Sequence, residues 1–230
     1  MTGIPTATVA ELDEEYIRKM EDVLAVYEKP YDAIEPVVCL DEKPVSLHAD
    51  VRPPQAAKPG KIAKRDSEYQ RCGTANVFCV VEPKAGRHFT KPTPTRSAPE
   101  FAQVIANLAV SYPAARTIHL VMDNLNIHCQ KSLTNYYGDM AGRYFWNRFT
   151  THYTPKHGSW LNQAEIEISL FSRQCLGTRR IPNLALLRKE GRAWNRRMNR
   201  QRTKIRWQFS RKDARGKFGY RKHSFKRSKT

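Results

Sequence analysis

The segment 117–165 constrains the fold more than any other part of the chain. It opens on Thr117-Ile118-His119-Leu120-Val121-Met122, a short apolar run rich in β-branched residues, and breaks at Asp123-Asn124. This is the pattern of a buried strand that delivers a carboxylate at its C-terminal end. Val37-Val38-Cys39-Leu40-Asp41 repeats the arrangement upstream. Further on, His157-Gly158-Ser159 is a break followed by helical spacing, which sets Glu165 in the first turns of a helix. Two strands each ending in an aspartate and a helix presenting a glutamate form a cage suited to divalent cations, hard ions that take oxygen ligands.

The rest of the chain supplies the frame. Thr8 and Glu11 have the spacing of a capping box, and Val9, Leu12, Tyr16, Met20, Val23, Leu24 and Tyr27 continue as a helix over 9–27. A strand is expected over 36–48, then a long irregular loop over 49–71 rich in Pro, Lys and Arg. Strands over 76–82 and 87–91 flank the turn Pro83-Lys84-Ala85-Gly86. Ser97 and Pro99 open a helix with Phe101, Val104, Ile105 and Leu108 on its buried face. After the strand that ends at Met122 come a helix over 130–141, a strand over 149–153 and the helix from Ser159. Three strands followed by alternating helices and strands imply a mixed α/β sheet with one antiparallel portion.

Charge is concentrated at one end. Residues 176–230 hold 20 of the 40 Lys and Arg but only 2 of the 22 acids, so the whole excess of +18 lies there and the first 175 residues are neutral. Trp194, Trp207, Phe209, Phe218 and Tyr220 interleave with these charges. A body carrying a basic, aromatic-bearing extension points to a polyanionic partner, nucleic acid first, with the aromatic rings as stacking groups. The five cysteines are scattered without a Cys-x-x-Cys pair, which points away from a disulfide framework or zinc ribbon and toward reduced thiols in the cytosol. No apolar run is long enough to span a membrane.

Taken together, Leu40-Asp41-Glu42-Lys43, Gly73-Thr74-Ala75-Asn76, the run from Met122 to His128 and the run from Thr154 to Glu165 resemble the catalytic domain of bacterial insertion-sequence transposases of the mariner superfamily. The resemblance spans roughly residues 9–207. It implies an α/β, ribonuclease H-like mixed sheet flanked by helices with a basic C-terminal extension, and an Asp-Asp-Glu triad that falls on Asp41, Asp123 and Glu165 and holds two Mg²⁺ or Mn²⁺ ions. It also implies a division into an N-terminal helix and linker (1–36), a catalytic domain (37–178) and a basic helix and tail (179–230). About 36 residues precede the first catalytic strand, too few for the helix-turn-helix modules of such relatives, so the expectation is a catalytic fragment, a split product or a decayed element. The interval between Asp123 and Glu165 is longer than in many members, which draws attention to residues 138–148.

The chemistry implied is metal-dependent phosphodiester hydrolysis and strand transfer on DNA, at transposon ends and target, by a homodimer in the nucleoid-associated cytoplasm. The alternatives are a nuclease or resolvase of the same fold, and a basic DNA-binding protein that has lost catalysis. His128, His157, Lys156 and Asn124 are the candidate substrate contacts. His128 has a second reading, as a buried histidine with satisfied partners, and Glu42 is expected to pair with a neighbouring base. Glu165 and Glu167 fall on opposite flanks of a stripe through Leu161, Ala164, Ile168, Phe171 and Cys175, so helical spacing does not choose between them and the resemblance favours Glu165.

Overall fold

The computed structural model describes residues 12–221. Five strands, β1 (Val37–Asp50), β2 (Tyr69–Glu82), β3 (Arg87–Thr93), β4 (Ile118–Met122) and β5 (Phe149–Tyr153), form one sheet in the order β3-β2-β1-β4-β5. The β1–β2 and β2–β3 pairs are antiparallel, whereas β4 runs parallel to both β1 and β5. This is the mixed α/β sheet with an antiparallel portion that the element order implied.

Side chains alternate across the sheet and sort into two layers. Val38, Leu40, Phe78, Val80, Ile118, Leu120 and Met122 face one side, covered by α2 (Ala98–Ser111), α3 (Gln130–Tyr137) and α4 (Asp139–Trp146). Cys39, Val81 and Val121 face the other, where α1 (Glu14–Glu28) and Leu161 cover them, and Val45, Val77 and Cys79 meet α5 (Ala164–Phe171) and α6 (Leu184–Gln201) on the same side. A final helix, α7 (Arg211–Phe218), folds back onto α1.

Several elements differ from the sequence expectation. Helix α1 begins at Glu14, capped by Asp13, whose Oδ1 accepts from the Tyr16 amide at 2.6 Å; the expected cap at Thr8 and Glu11 lies outside the described residues. Strand β2 starts at Tyr69, seven residues before the expected start, because Tyr69, Gln70 and Arg71 pair with Asp50, Ala49 and His48 as an exposed ribbon beyond the core. The single helix expected over 130–141 is two, broken at Gly138, whose φ of 82° ends α3. The helix expected from Ser159 opens as a 3₁₀ turn, Ser159–Leu161, and α5 starts only at Ala164.

The edge strand β3 is closed by side chains. The Asn195 amide accepts from the Thr90 N–H at 3.1 Å and donates to the Thr90 carbonyl at 3.2 Å. One helical turn on, Asn199 does the same with His88, at 2.9 and 2.7 Å. Two asparagines at i and i+4 thus stand in for a neighbouring strand and satisfy an edge that would otherwise pair with another chain.

The aromatic residues of the basic quarter are packing groups. Trp194 is buried against Phe171, and Ile205, Trp207, Phe209, Phe218 and Tyr220 pack onto the α1 layer, with Trp207 5.5 Å from Tyr27 and Phe209 5.4 Å from Trp160. Ion pairs from Arg211 to Glu28 and from Arg215 to Glu21 fix the same contact. Up to residue 221 the segment lies on the body, with Trp194 buried and Trp207, Phe209, Phe218 and Tyr220 half-buried.

Candidate active site

The parallel register of β1 and β4 aligns Val37 with His119 and Cys39 with Val121, and β4 ends at Met122, so Asp123 is the first residue beyond it, close enough for its charge to act on Asp41. Asp41 sits on β1 with its side chain on the α5 side of the sheet. Its Oδ1 accepts from the Glu42 amide at 2.8 Å, and its Oδ2 lies 3.3 Å from Nδ2 of Asn162. Burial lifts its carboxyl to about 7, opposed by the Glu42 amide and reinforced by the charges of Glu165, Glu42 and Asp123. The other two acids of the expected triad, Glu165 and Asp123, therefore both act on the Asp41 carboxyl.

Glu165 reaches this place through Asn162. The Asn162 Nδ2 donates to the Leu40 carbonyl at 2.9 Å, its Oδ1 accepts from the Ala164 amide at 3.1 Å, and its carbonyl accepts from the Glu165 amide at 3.0 Å. This buried side chain explains why the helix starts late: it caps α5 and ties the first turn to β1. Glu165 is exposed. Glu167 is fully buried, its Oε2 2.8 Å from Nδ1 of His88 on β3. It takes the inward position that spacing assigned to Ile168, which is only half-buried.

Glu42, next to Asp41 on β1, points to the opposite layer. There Glu42 Oε1 lies 2.7 Å from Nε2 of His128, and His128 Nδ1 lies 3.0 Å from the Asp123 carbonyl oxygen and 2.7 Å from Asp123 Oδ1. The carbonyl is the hydrogen-bonded oxygen and the carboxylate an ion-pair partner. Burial works to lower the His128 pKa, but the bonds to Asp123 and Glu42 outweigh it and lift it to about 10. Both ring nitrogens of His128 are thus engaged, one by Glu42 and one by Asp123. Ligand atoms of Glu42, Asp123 and His128 lie within 4.8 Å of one another, a spacing that could hold a metal ion. The part of His128 here is to hold Asp123 in place.

Asn124, Lys156 and His157 are exposed, on the loops that leave β4 and β5 at the edge where Asp41 and Asp123 lie. His157 has φ of 61°, a left-handed conformation that is unfavourable for a residue with a Cβ. A Cβ on the following Gly158 would meet Pro155 Cγ at 2.5 Å, so only glycine allows this tight entry to the 3₁₀ turn. His128, by contrast, is buried behind Asp123 and does not reach the open face.

Sequence reading missed Asn162 altogether and the role of Glu42 in part. Alternation along a strand does put Glu42 on the face opposite Asp41. Nothing in the sequence names a partner 86 positions away.

The residues that carry this edge, from β1 through α5, fall inside a stretch that matches a known family model, described as DDE superfamily endonuclease, over residues 36–188. The chain belongs to the DDE superfamily endonuclease family. As such an enzyme it shares its fold with solved structures of the Mos1 transposase. A Mos1 paired-end complex with the left transposon end has a TM-score of 0.54 at 14% identity over 88% of this chain, and the Mos1 mariner paired-end complex with Mn has 0.53 at 15% over 88%. The catalytic domain of Mos1 mariner transposase has 0.51 at 13% identity, covering 84% of this chain and 89% of that domain. The DDE endonuclease chain spans 63% of the length of the Mos1 chain in the paired-end complex with the left transposon end. No curated protein matches the sequence. Among the described residues, no helix is long and apolar enough to cross a membrane.

Proposed function

We propose that this chain is the catalytic domain of a DNA transposase of the bacterial insertion-sequence type, cutting phosphodiester bonds at transposon ends and joining them to target DNA. The observation that supports this reading is that Asn162 ties Asp41 to the turn that presents Glu165, while β4, paired in parallel with β1, ends one residue before Asp123. Asp41, Asp123 and Glu165 would hold Mg²⁺ or Mn²⁺, and the fit is chemical, since all three offer hard oxygen donors and the crowding at Asp41 favours added positive charge. A pair of such ions, when bound, supplies activation of the attacking oxygen and stabilisation of the leaving oxygen in an in-line displacement. The related Mos1 structures with Mn and with Mg support that choice of metal. The residues of this chain orient: His128 fixes Asp123, Asn162 fixes Asp41, and Asn124, Lys156 and His157 line the edge where a phosphate would lie. No covalent protein nucleophile is needed. The DNA partners are the element's ends and its target, and the active assembly is a homodimer.

The test is nicking of supercoiled plasmid by the purified chain with Mg²⁺ or Mn²⁺, beside Asp41→Asn and Asp123→Asn. Metal-dependent nicking by the wild type, lost by at least a hundredfold in both variants with DNA binding retained, is expected. Nicking that persists in either variant overturns the assignment. Joined products with a DNA carrying the element's ends separate a transposase from a plain nuclease.

A further inference from the structure

Helix α6 carries its charge in an ordered way. Leu187, Gly191, Trp194 and Met198 form its buried stripe, and Asn195 and Asn199 grip β3. Arg188, Arg192, Arg196 and Arg200, each four residues from the last, form a ridge on the outward side, and all four are exposed. Residues spaced by four lie along one ridge of a helix, so the ridge is about 18 Å long at 1.5 Å per residue.

Two observations set this ridge apart from an ordinary solvated face. Several arginines elsewhere are coupled to acids: Arg65 and Arg180 to Asp50, Arg116 to Glu35, Arg179 to Glu190, Arg211 to Glu28 and Arg215 to Glu21. Among the described residues the four ridge arginines take part in no such pair, and the single acid of α6, Glu190, is engaged by Arg179. The helix that carries the ridge is also anchored. Besides the two asparagine clamps, Arg188 Nε donates to the Pro92 carbonyl at 3.2 Å, and Gly191 lets the helix lie so close that a Cβ there would meet Thr90 Oγ1 at 3.3 Å. A helix anchored in this way loses less backbone entropy when its side chains meet a ligand than a mobile tail would.

Its position suits the site. Asp41 pairs with Cys79, Cys79 with Thr90, and Thr90 with Asn195, so the middle of α6 is level with the carboxylates across the sheet. Two strand spacings of ~4.8 Å and one helix diameter of ~10 Å put the arginines roughly 20 Å to the side of Asp41. That is less than one helical turn of duplex, about 34 Å.

We infer that the Arg188-Arg192-Arg196-Arg200 ridge is the phosphate-gripping surface for duplex DNA flanking the cleavage point. This rests on the reading of the chain as a DNA-cutting enzyme and adds which surface holds the DNA. Guanidinium groups without carboxylate partners meet phosphates without first breaking an ion pair, and a contact limited to the backbone is indifferent to base sequence.

The experiment is a salt titration of binding to a fluorescent duplex of arbitrary sequence without added metal, comparing the full chain with Arg192→Gln/Arg196→Gln/Arg200→Gln. The control is Arg18→Gln/Lys212→Gln/Lys217→Gln, which removes the same charge from the α1–α7 side. Each lost phosphate contact lowers the log–log slope by about 0.9, so the ridge variant should lose about 2 to 3 in slope and bind at least tenfold more weakly at ~0.1 M salt, while the control stays within about 1 of wild type. Both should retain the wild-type melting temperature. Equal losses in the two variants, or a ridge variant that titrates like wild type, overturn the inference. If the wild-type chain itself fails to bind duplex DNA, the functional reading fails instead.

Discussion

Glu167 and His88 meet in the interior at 2.8 Å, with neither side chain exposed. That contact separates two acids that helical spacing left equivalent. Glu167 joins α5 to β3, which leaves Glu165 free at the open edge near Asp41. The expectation is that Glu165→Gln folds like wild type and loses metal-dependent nicking. Glu167→Gln should lower stability by about 2 kcal/mol, through loss of the charge in a buried hydrogen-bonded pair. Denaturant unfolding and plasmid nicking of the two variants check this. An active Glu165→Gln beside an inactive, fully stable Glu167→Gln would reassign the third acid.

Trp207 and its neighbours carry a second prediction. The basic C-terminal segment reads in sequence as an extension whose removal weakens DNA binding. In the structure Ile205, Trp207, Phe209, Phe218 and Tyr220 complete the layer over α1, and the Trp207 Nε1 donates to the Phe209 carbonyl at 2.7 Å. Trp207→Ala should therefore cost about 2 to 3 kcal/mol, less than for a fully buried tryptophan because this one is half-buried. Truncation after Thr203 should cost more. Chemical denaturation decides it, and a truncated chain as stable as the full one would return the segment to the status of an appendage.

How far the sequence could be read follows from the range of each interaction. The strands around Asp41 and Asp123, the Pro83–Gly86 turn and the face of α2 show up as local periodicity, because burial imposes period two or 3.6 on neighbouring residues. The ribbon formed by Tyr69, Gln70 and Arg71 is exposed, so nothing in its pattern marks it as strand. The aromatic residues of the last quarter were legible, but their partners Tyr27 and Trp160 are far away in the chain, and the surrounding charge favoured a nucleic-acid reading. The bonds that build the site, Glu42 to His128 and Asn162 to Leu40, join residues 86 and 122 positions apart. Such pairs leave no trace in spacing.

Acid should loosen the same C-terminal segment. Burial alone would raise the Glu21 carboxyl, but bonds from Arg215 and Tyr220 hold it below its ordinary value, and Arg211 does the same for Glu28. A carboxyl depressed in the folded state contributes stability that is fully present above its unfolded value and is lost as pH falls through the folded value. The segment is thus expected to be firmly docked at neutral pH and to release below about pH 4, each partly exposed pair contributing no more than about 1 kcal/mol. Tryptophan fluorescence during acid titration reports it through Trp207 and Trp160. Glu21→Gln/Glu28→Gln should weaken docking at pH 7 and flatten the profile between roughly pH 5 and 3. A double variant that keeps the wild-type profile would show that other carboxylates govern the response.

Asn162 is the residue through which the two halves of the site are joined. Its Nδ2 is shared between the Leu40 carbonyl and the Asp41 carboxylate, and its Oδ1 caps the helix that presents Glu165. Asn162→Asp preserves size and the cap but puts a second carboxylate against Asp41 in place of a donor. Asn162→Ala removes both attachments and leaves the Leu40 carbonyl and the Ala164 amide unpaired in a buried place. Groups that orient metal ligands from behind typically affect affinity or activity by ~10–100-fold, and a loss in that range is expected for each variant. The two should differ in stability: Asn162→Ala should lose about 1 to 3 kcal/mol for its unsatisfied polar groups, and Asn162→Asp less. Nicking rates at saturating Mn²⁺, with calorimetric Mn²⁺ titration, separate weaker metal binding from misplacement of Glu165. If both variants nick at the wild-type rate and bind Mn²⁺ unchanged, the link between β1 and α5 is structural and plays no part in positioning the acids.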